Sequence, residues 1–149
     1  MLKMKYKILF LFIILLSLSN LVKGQSQNEN WVKVDSCLES ETIYVNIQGL
    51  NHFSEDDIYF WTLEENDPPI VIESISSKIH KTKTYFLANK KLNKYSIMEV
   101  IYFDNKNNVA ANYSYKRNME NEKFKYNYPI IPGSSMEKVL NLVLKYAGK

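Results

Sequence analysis

Apolar and polar positions follow two different periods along this chain, and the change of period falls near Pro129. From Glu41 to Ile47 the alternation has a period of two: Ile43, Val45 and Ile47 point one way, Thr42, Tyr44 and Asn46 the other. That pattern predicts a half-buried strand. A weaker strand over Trp31 to Val34 precedes it. Ile58 to Leu63 has aromatic residues on both faces and reads as a central strand, ended by Asn66, Asp67, Pro68 and Pro69 because consecutive prolines remove ladder donors. Ile70 to Ile75 and Ile79 to Leu87 are further strands. Lys94 to Phe103 is the longest, and the run Asp104-Asn105-Lys106-Asn107-Asn108 turns it into a partner over Val109 to Lys116. Met119 to Tyr126 is charged and reads as one more extended segment.

After Pro129 the period becomes helical. Met136, Val139, Leu140, Val143, Leu144 and Ala147 recur along one stripe, with Glu137, Lys138, Asn141 and Lys145 elsewhere. Ser134 followed by Glu137 is a capping box: the hydroxyl accepts from a first-turn amide, and the glutamate reaches back to the amide of the cap. Gly148 can supply a left-handed C-terminal cap. A helix of about three turns is marginal alone in water, so its stripe must lie on the preceding sheet. The expected class is α+β, with about six antiparallel strands and one C-terminal helix.

The N-terminus alters the charge reading. Lys3, Lys5 and Lys7 precede an apolar run from Ile8 to Leu18 and a polar boundary at Val22-Lys23-Gly24, the pattern of a secretory signal peptide over residues 1–24. An uncleaved anchor is the rival reading, since Val22 is not the small residue a cleavage site prefers, but the run is short of the roughly 20 residues a bilayer span needs. A lipid-attachment cysteine directly after the run is missing. The whole chain is +3; without residues 1–24 it keeps 15 basic and 16 acidic residues, net −1. Nucleic-acid binding therefore loses its compositional support. Residues 25–30 read as a polar, flexible segment, and residues 31–149 as one domain with one core. Expected localisation is extracytoplasmic: secreted, periplasmic or at the cell surface, without stable membrane insertion. Cys37 is the lone cysteine, so it is either buried or pairs between chains, which leaves a homodimer open.

Candidate chemistry is sparse. His52 and His80 lie in separate segments without zinc-ligand spacing, so a hydrolase would need one of them to meet a carboxylate in a cleft. No cofactor or metal motif appears, and Glu55-Asp56-Asp57 reads as a solvated loop because it lacks the spaced ligands and glycine of a calcium site. The expected protein is not an enzyme. Lys78, Lys81, Lys83, Lys90, Lys91 and Lys94 form an acid-free basic stretch that suits a polyanion or an acidic partner, or else a solvated sheet edge. Eleven tyrosines are many for this length, and Tyr113 and Tyr115 in a predicted strand suit a recognition surface. Asn112-Tyr113-Ser114 is a glycosylation sequon, relevant only in a eukaryotic secretory route. A groove between helix and sheet, lined by residues such as Trp61, Tyr102 and Leu144, would instead suit a small ligand or an inhibitor role.

Trp31, Ile43-Tyr44-Val45-Asn46, Tyr59-Phe60-Trp61-Thr62-Leu63, the long strand with its partner to Tyr115, and Pro129-Ile130-Ile131-Pro132-Gly133-Ser134 with Met136-Glu137 together resemble the bacterial surface-adhesin protein E family. The resemblance implies a curved antiparallel sheet with the C-terminal helix on its concave face. It also implies an adhesin that binds host extracellular or surface proteins. Two departures stand out. The family often ties the helix to a central strand by a disulfide, whereas this chain has no cysteine near Ile97 or Tyr146, and Asn46 stands where the family tends towards Asp.

Overall fold

The computed structural model describes residues 29–35, 42–50 and 56–147. The signal segment, most of residues 25–30, Cys37, His52, Glu55 and Gly148 lie outside them. The described strands are β1 (Trp31–Lys33), β2 (Thr42–Asn46), β3 (Asp57–Ile70), β4 (Ile79–Asn89), β5 (Lys94–Phe103) and β6 (Val109–Ser114). A single helical turn α1 (Glu122–Lys125), a two-residue strand β7 (Tyr128–Pro129) and the helix α2 (Ser135–Ala147) complete the chain. The strands pair antiparallel in chain order as an open meander from β1 to β6, and β7 pairs with β5 beside β6. The class is α+β, as the two periods predict.

One face of the sheet receives α2. Val45, Ile58, Phe60 and Ala88 from the strands bury against Val139, Leu140, Val143 and Ala147, with Ile43, Phe86, Met136, Leu142 and Tyr146 packed around them. Because strand side chains alternate, Tyr59, Trp61 and Leu63 point to the opposite face. Among the described residues that second face is covered at one end only. There the segment from Tyr115 to Asn127 crosses it: Ser96 Oγ donates to Lys125 O at 2.7 Å and accepts from Asn127 N at 3.0 Å, and Leu87 beside Ser96 is sealed from solvent. The extended reading of Met119 to Tyr126 is thus corrected: this stretch forms α1 and a strap.

The prolines do not end the strand as expected. Ladder pairing runs to Glu65↔Lys81 and resumes at Ile70↔Ile79, so residues 66–69 bulge out against His80 and no donor is required of Pro68 or Pro69. Asn66 Nδ2 pins the bulge through Thr82 Oγ1 at 3.1 Å. The chain turns only after Ile70, so Ile70 to Ile75 is not a separate strand.

The start of α2 follows the capping logic with one change. Ser134 Oγ accepts from Glu137 N at 3.3 Å, while Glu137 Oε2 accepts from Gly133 N at 2.7 Å rather than from the amide of Ser134. Gly133 has φ +79°, a conformation in which a β-carbon is strained, and this lets its amide turn towards the glutamate. Replacing Ser134 with Ala is expected to cost about 1 kcal/mol in urea melts, through loss of the cap. Lys145→Ala, on the exposed side of the same helix, should change stability by no more than about 0.5 kcal/mol.

Candidate functional site

The uncovered end of the second face gathers aromatic and basic side chains from four strands. Register aligns Trp31, Asn46, Trp61, Tyr85 and Glu99 in one row across the sheet, and Lys33, Tyr44, Leu63, Lys83 and Ile101 in the next. Trp61 and Tyr85 stack at 4.7 Å between ring centroids, and Tyr59 continues the series at 6.0 Å from Tyr85. The Lys83 ammonium lies 4.9 Å from the Trp61 ring centroid and 5.6 Å from that of Trp31, within cation–π range. Lys83 also binds one carboxylate oxygen of Glu29, whose other oxygen accepts from Trp31 Nε1 at 3.1 Å. Beside it Lys81 donates to Asn107 Oδ1 at 3.0 Å, which ties the β5–β6 turn to β4. Glu29, Trp31, Lys81, Lys83 and Asn107 line a shallow depression of about 170 Å³ with Leu63 and Phe103.

The structure divides the predicted lysine cluster. Lys81 and Lys83 belong to this patch and Lys78 lies in the turn before β4, whereas Lys90, Lys91 and Lys94 sit at the far end of the β4–β5 hairpin. Seven strand residues from Lys83 to Lys90 correspond to roughly 23 Å. At that far end Lys90 Nζ stands 3.7 Å from Asp56. Tyr113 and Tyr115 are separate again. Tyr113 packs edge-on against Tyr102 at 6.1 Å, on the side of the sheet that carries α2, and Tyr115 lies under the Arg117 guanidinium at 5.8 Å.

A second polar constellation escaped the sequence reading altogether. Asp57, assigned there to a solvated loop, is the first residue of β3 and is buried. Its Oδ1 accepts from Asn89 Nδ2 at 2.8 Å and from the Tyr126 hydroxyl, and its Oδ2 accepts from Lys125 Nζ at 2.5 Å. Burial alone would raise the Asp57 carboxyl, but the hydrogen bonds from Lys125, Tyr126 and Asn89, with the charge of Lys125, outweigh it and hold the group below the usual aspartate value. The bond to Asp57 raises Lys125, and burial followed by the same carboxylate raises the Tyr126 phenol. A carboxylate so held is a weak base, and both of its oxygens are occupied. The cluster fastens the strap to β3 and β4 rather than presenting reactive groups.

Two hollows border α2: one of about 200 Å³ between Thr62, Phe86, Ile97 and Met136, below the roughly 300 Å³ at which small-ligand pockets begin, and a wide-open one of about 390 Å³ between Val34 and Asp35 on one side and Lys138, Asn141, Leu142 and Lys145 of the helix on the other. Trp61 faces away from the first, and Leu144 points out from the helix. Among the described residues no His, Cys, Asp and Glu gather in a set of three or more that could hold a metal, and no helix is long and apolar enough to cross a membrane. No family model, curated protein or solved structure gives a significant match to this chain.

Proposed function

We propose that this chain is an exported, non-enzymatic binding protein, adhesin-like, that recognises extracellular matrix or surface macromolecules through the uncovered end of the helix-free face. The observation that carries this reading is the patch of Trp31, Trp61, Tyr85, Lys81 and Lys83, held in register by four strands and left open by both α2 and the strap. Tryptophan, tyrosine and the Lys83 stem packed on them offer large contact area at small entropic cost, and Lys81, whose partner Asn107 is neutral, supplies positive charge for an acidic partner, whereas the Lys83 charge is paired with Glu29. The likeness to the surface-adhesin protein E pattern and the signal-peptide pattern at the N-terminus support the same reading. Asn46, although a departure from that pattern, has a structural role: its Oδ1 accepts from Asn30 N and Gln48 N, both at 3.0 Å, and so ties the start of β1 to the end of β2 beside the patch.

The test is a binding screen of the mature chain against immobilised matrix glycoproteins and heparin. Trp61→Ala and Lys81→Glu are each expected to weaken the best interaction by at least about tenfold, the scale of losing one well-buried contact, while Lys145→Ala leaves it unchanged. Absence of any saturable partner, or equal loss at Lys145, would overturn the reading.

A further inference from the structure

The end of the sheet opposite the aromatic–lysine patch carries the three lysines of the predicted cluster that the patch leaves out. Lys90, Lys91 and Lys94 flank the β4–β5 turn and are exposed. Lys90 Nζ has Asp56 beside it, whereas Lys91 and Lys94 form no ion pair among the described residues. The turn itself is fixed: Asn89 Oδ1 accepts from Lys91 N at 3.1 Å and from Leu92 N at 2.8 Å, and Asn93 takes φ 55° on the way into β5. The loop that leads into α2 lies against it. Lys94 pairs with Pro129, Ile130 N donates to Asn93 O at 2.8 Å, and Asn93 Nδ2 donates to Ile130 O at 3.1 Å. The same antiparallel register sets Leu92 opposite Ile131. Leu92, Ile131 and Tyr128 remain 36%, 62% and 44% exposed, so one held tip presents aliphatic and aromatic side chains between lysines.

We propose that this tip docks the protein on an anionic lipid bilayer, with Leu92 and Ile131 entering the head-group boundary and Lys90, Lys91 and Lys94 facing the lipid phosphates. The protein then lies on the surface and does not span it. Interfacial binding draws on the two terms that meet here: apolar area buried at the boundary, and attraction of basic side chains to anionic head groups. Tyr128, with its ring 5.3 Å from that of Tyr95, is of the residue type that settles at such a boundary. Charge complementarity alone would suit any polyanion. The exposed aliphatic pair decides for lipid, because a hydrated polysaccharide meets the lysines but leaves Leu92 and Ile131 in water. The patch of Trp31, Trp61 and Lys81 lies at the other end of β4, so the docked tip leaves it clear of the bilayer.

Sedimentation of the mature chain with vesicles of phosphatidylcholine, alone or mixed with phosphatidylglycerol, reads this directly and independently of any matrix ligand. Binding is expected to be saturable on the mixed vesicles, at least about tenfold weaker on phosphatidylcholine alone, and weakened by salt. Lys91→Glu and Lys94→Glu should each lower it by at least about fivefold, and Leu92→Ser combined with Ile131→Ser by about fivefold at unchanged charge. Lys106→Glu makes the same charge change in the β5–β6 turn, at the opposite end of β5, and should leave binding unaltered. Circular dichroism establishes that each variant is folded, and Ile131→Ser carries the apolar arm alone if the double variant unfolds. No binding to the mixed vesicles, or equal loss at Lys106, would overturn the proposal. So would binding indifferent to Leu92 and Ile131 with the lysine losses reproduced on heparin, which would assign the lysines to a soluble polyanion instead.

Discussion

Truncating Leu140 to Ala is expected to cost about 2 to 5 kcal/mol, the range for emptying a buried leucine site. Leu140 is 5% exposed and packs in the core with Val139 and Val143 of its own helix and Val45, Ile58 and Phe60 of the sheet. No cysteine among the described residues ties α2 to a strand, so this apolar contact is what holds the helix down. Such a loss is a large share of the roughly 5 to 15 kcal/mol that stabilises a domain of this size. Leu144→Ala should behave differently, costing about 1 kcal/mol or less, because Leu144 is 36% exposed. Urea melts of the two variants check the ordering. Equal losses at Leu140 and Leu144 would mean that the helix is rotated about its axis relative to the contacts described.

The difference between those two leucines marks where periodicity stops informing. The spacing rule puts Leu140 and Leu144 on one stripe, but at 100° per residue Leu144 lies roughly 90° from the centre of the buried arc formed by Val139, Leu140, Val143 and Ala147. Leu142 and Tyr146, on the other flank, are the ones that touch the core. A stripe read from sequence gives the width of the apolar face but not which flank the sheet reaches. The same holds for the strands. β5 coincides with its predicted limits, and Ile43, Val45 and Ile47 face one way as the alternation requires, because period-two burial is written into neighbouring residues. β3 runs past Pro68 and Pro69 because a bulge, pinned by Asn66 to β4, excuses them from the ladder.

The candidate surface was legible in its residue types and illegible in its grouping. Six lysines between Lys78 and Lys94 form one cluster in sequence, yet a hairpin with extended arms carries its two ends far apart, and Tyr113 and Tyr115 stand across the sheet from both groups. What the patch gained instead, Glu29 and Trp31 around Lys83, joins positions more than fifty residues apart. No local period records such a pairing. Asp57 is the clearest case: preceded by Glu55 and Asp56 it reads as a solvated acid, and only the return of Lys125 and Tyr126 across the sheet makes it a buried anchor.

Removing that anchor should be the most damaging polar change in the molecule. Asp57→Ala leaves the half-buried Lys125 ammonium without its partner and frees Asn89 Nδ2 and the Tyr126 hydroxyl from theirs, and breaking one side of such a pair typically costs about 3 to 5 kcal/mol. Replacing both ions, as in Asp57→Leu with Lys125→Met, should cost less than Asp57→Ala alone, because no uncompensated charge is then buried. The contribution also depends on pH with a definite sign. The folded-state carboxyl titrates below its unfolded value, so the stabilisation is complete above about pH 4 and is lost as pH falls through the depressed folded-state value. Lys125 is shifted the other way: its share is complete below about pH 10 and is lost as pH rises through its elevated folded-state value. Urea midpoints measured from about pH 3 to pH 7 should therefore fall more steeply towards acid for the wild type than for Asp57→Ala, and the gap between the two should narrow at the acid end. Parallel curves, or an Asp57→Ala protein as stable as wild type at neutral pH, would mean that contacts other than this carboxylate hold the strap to the sheet.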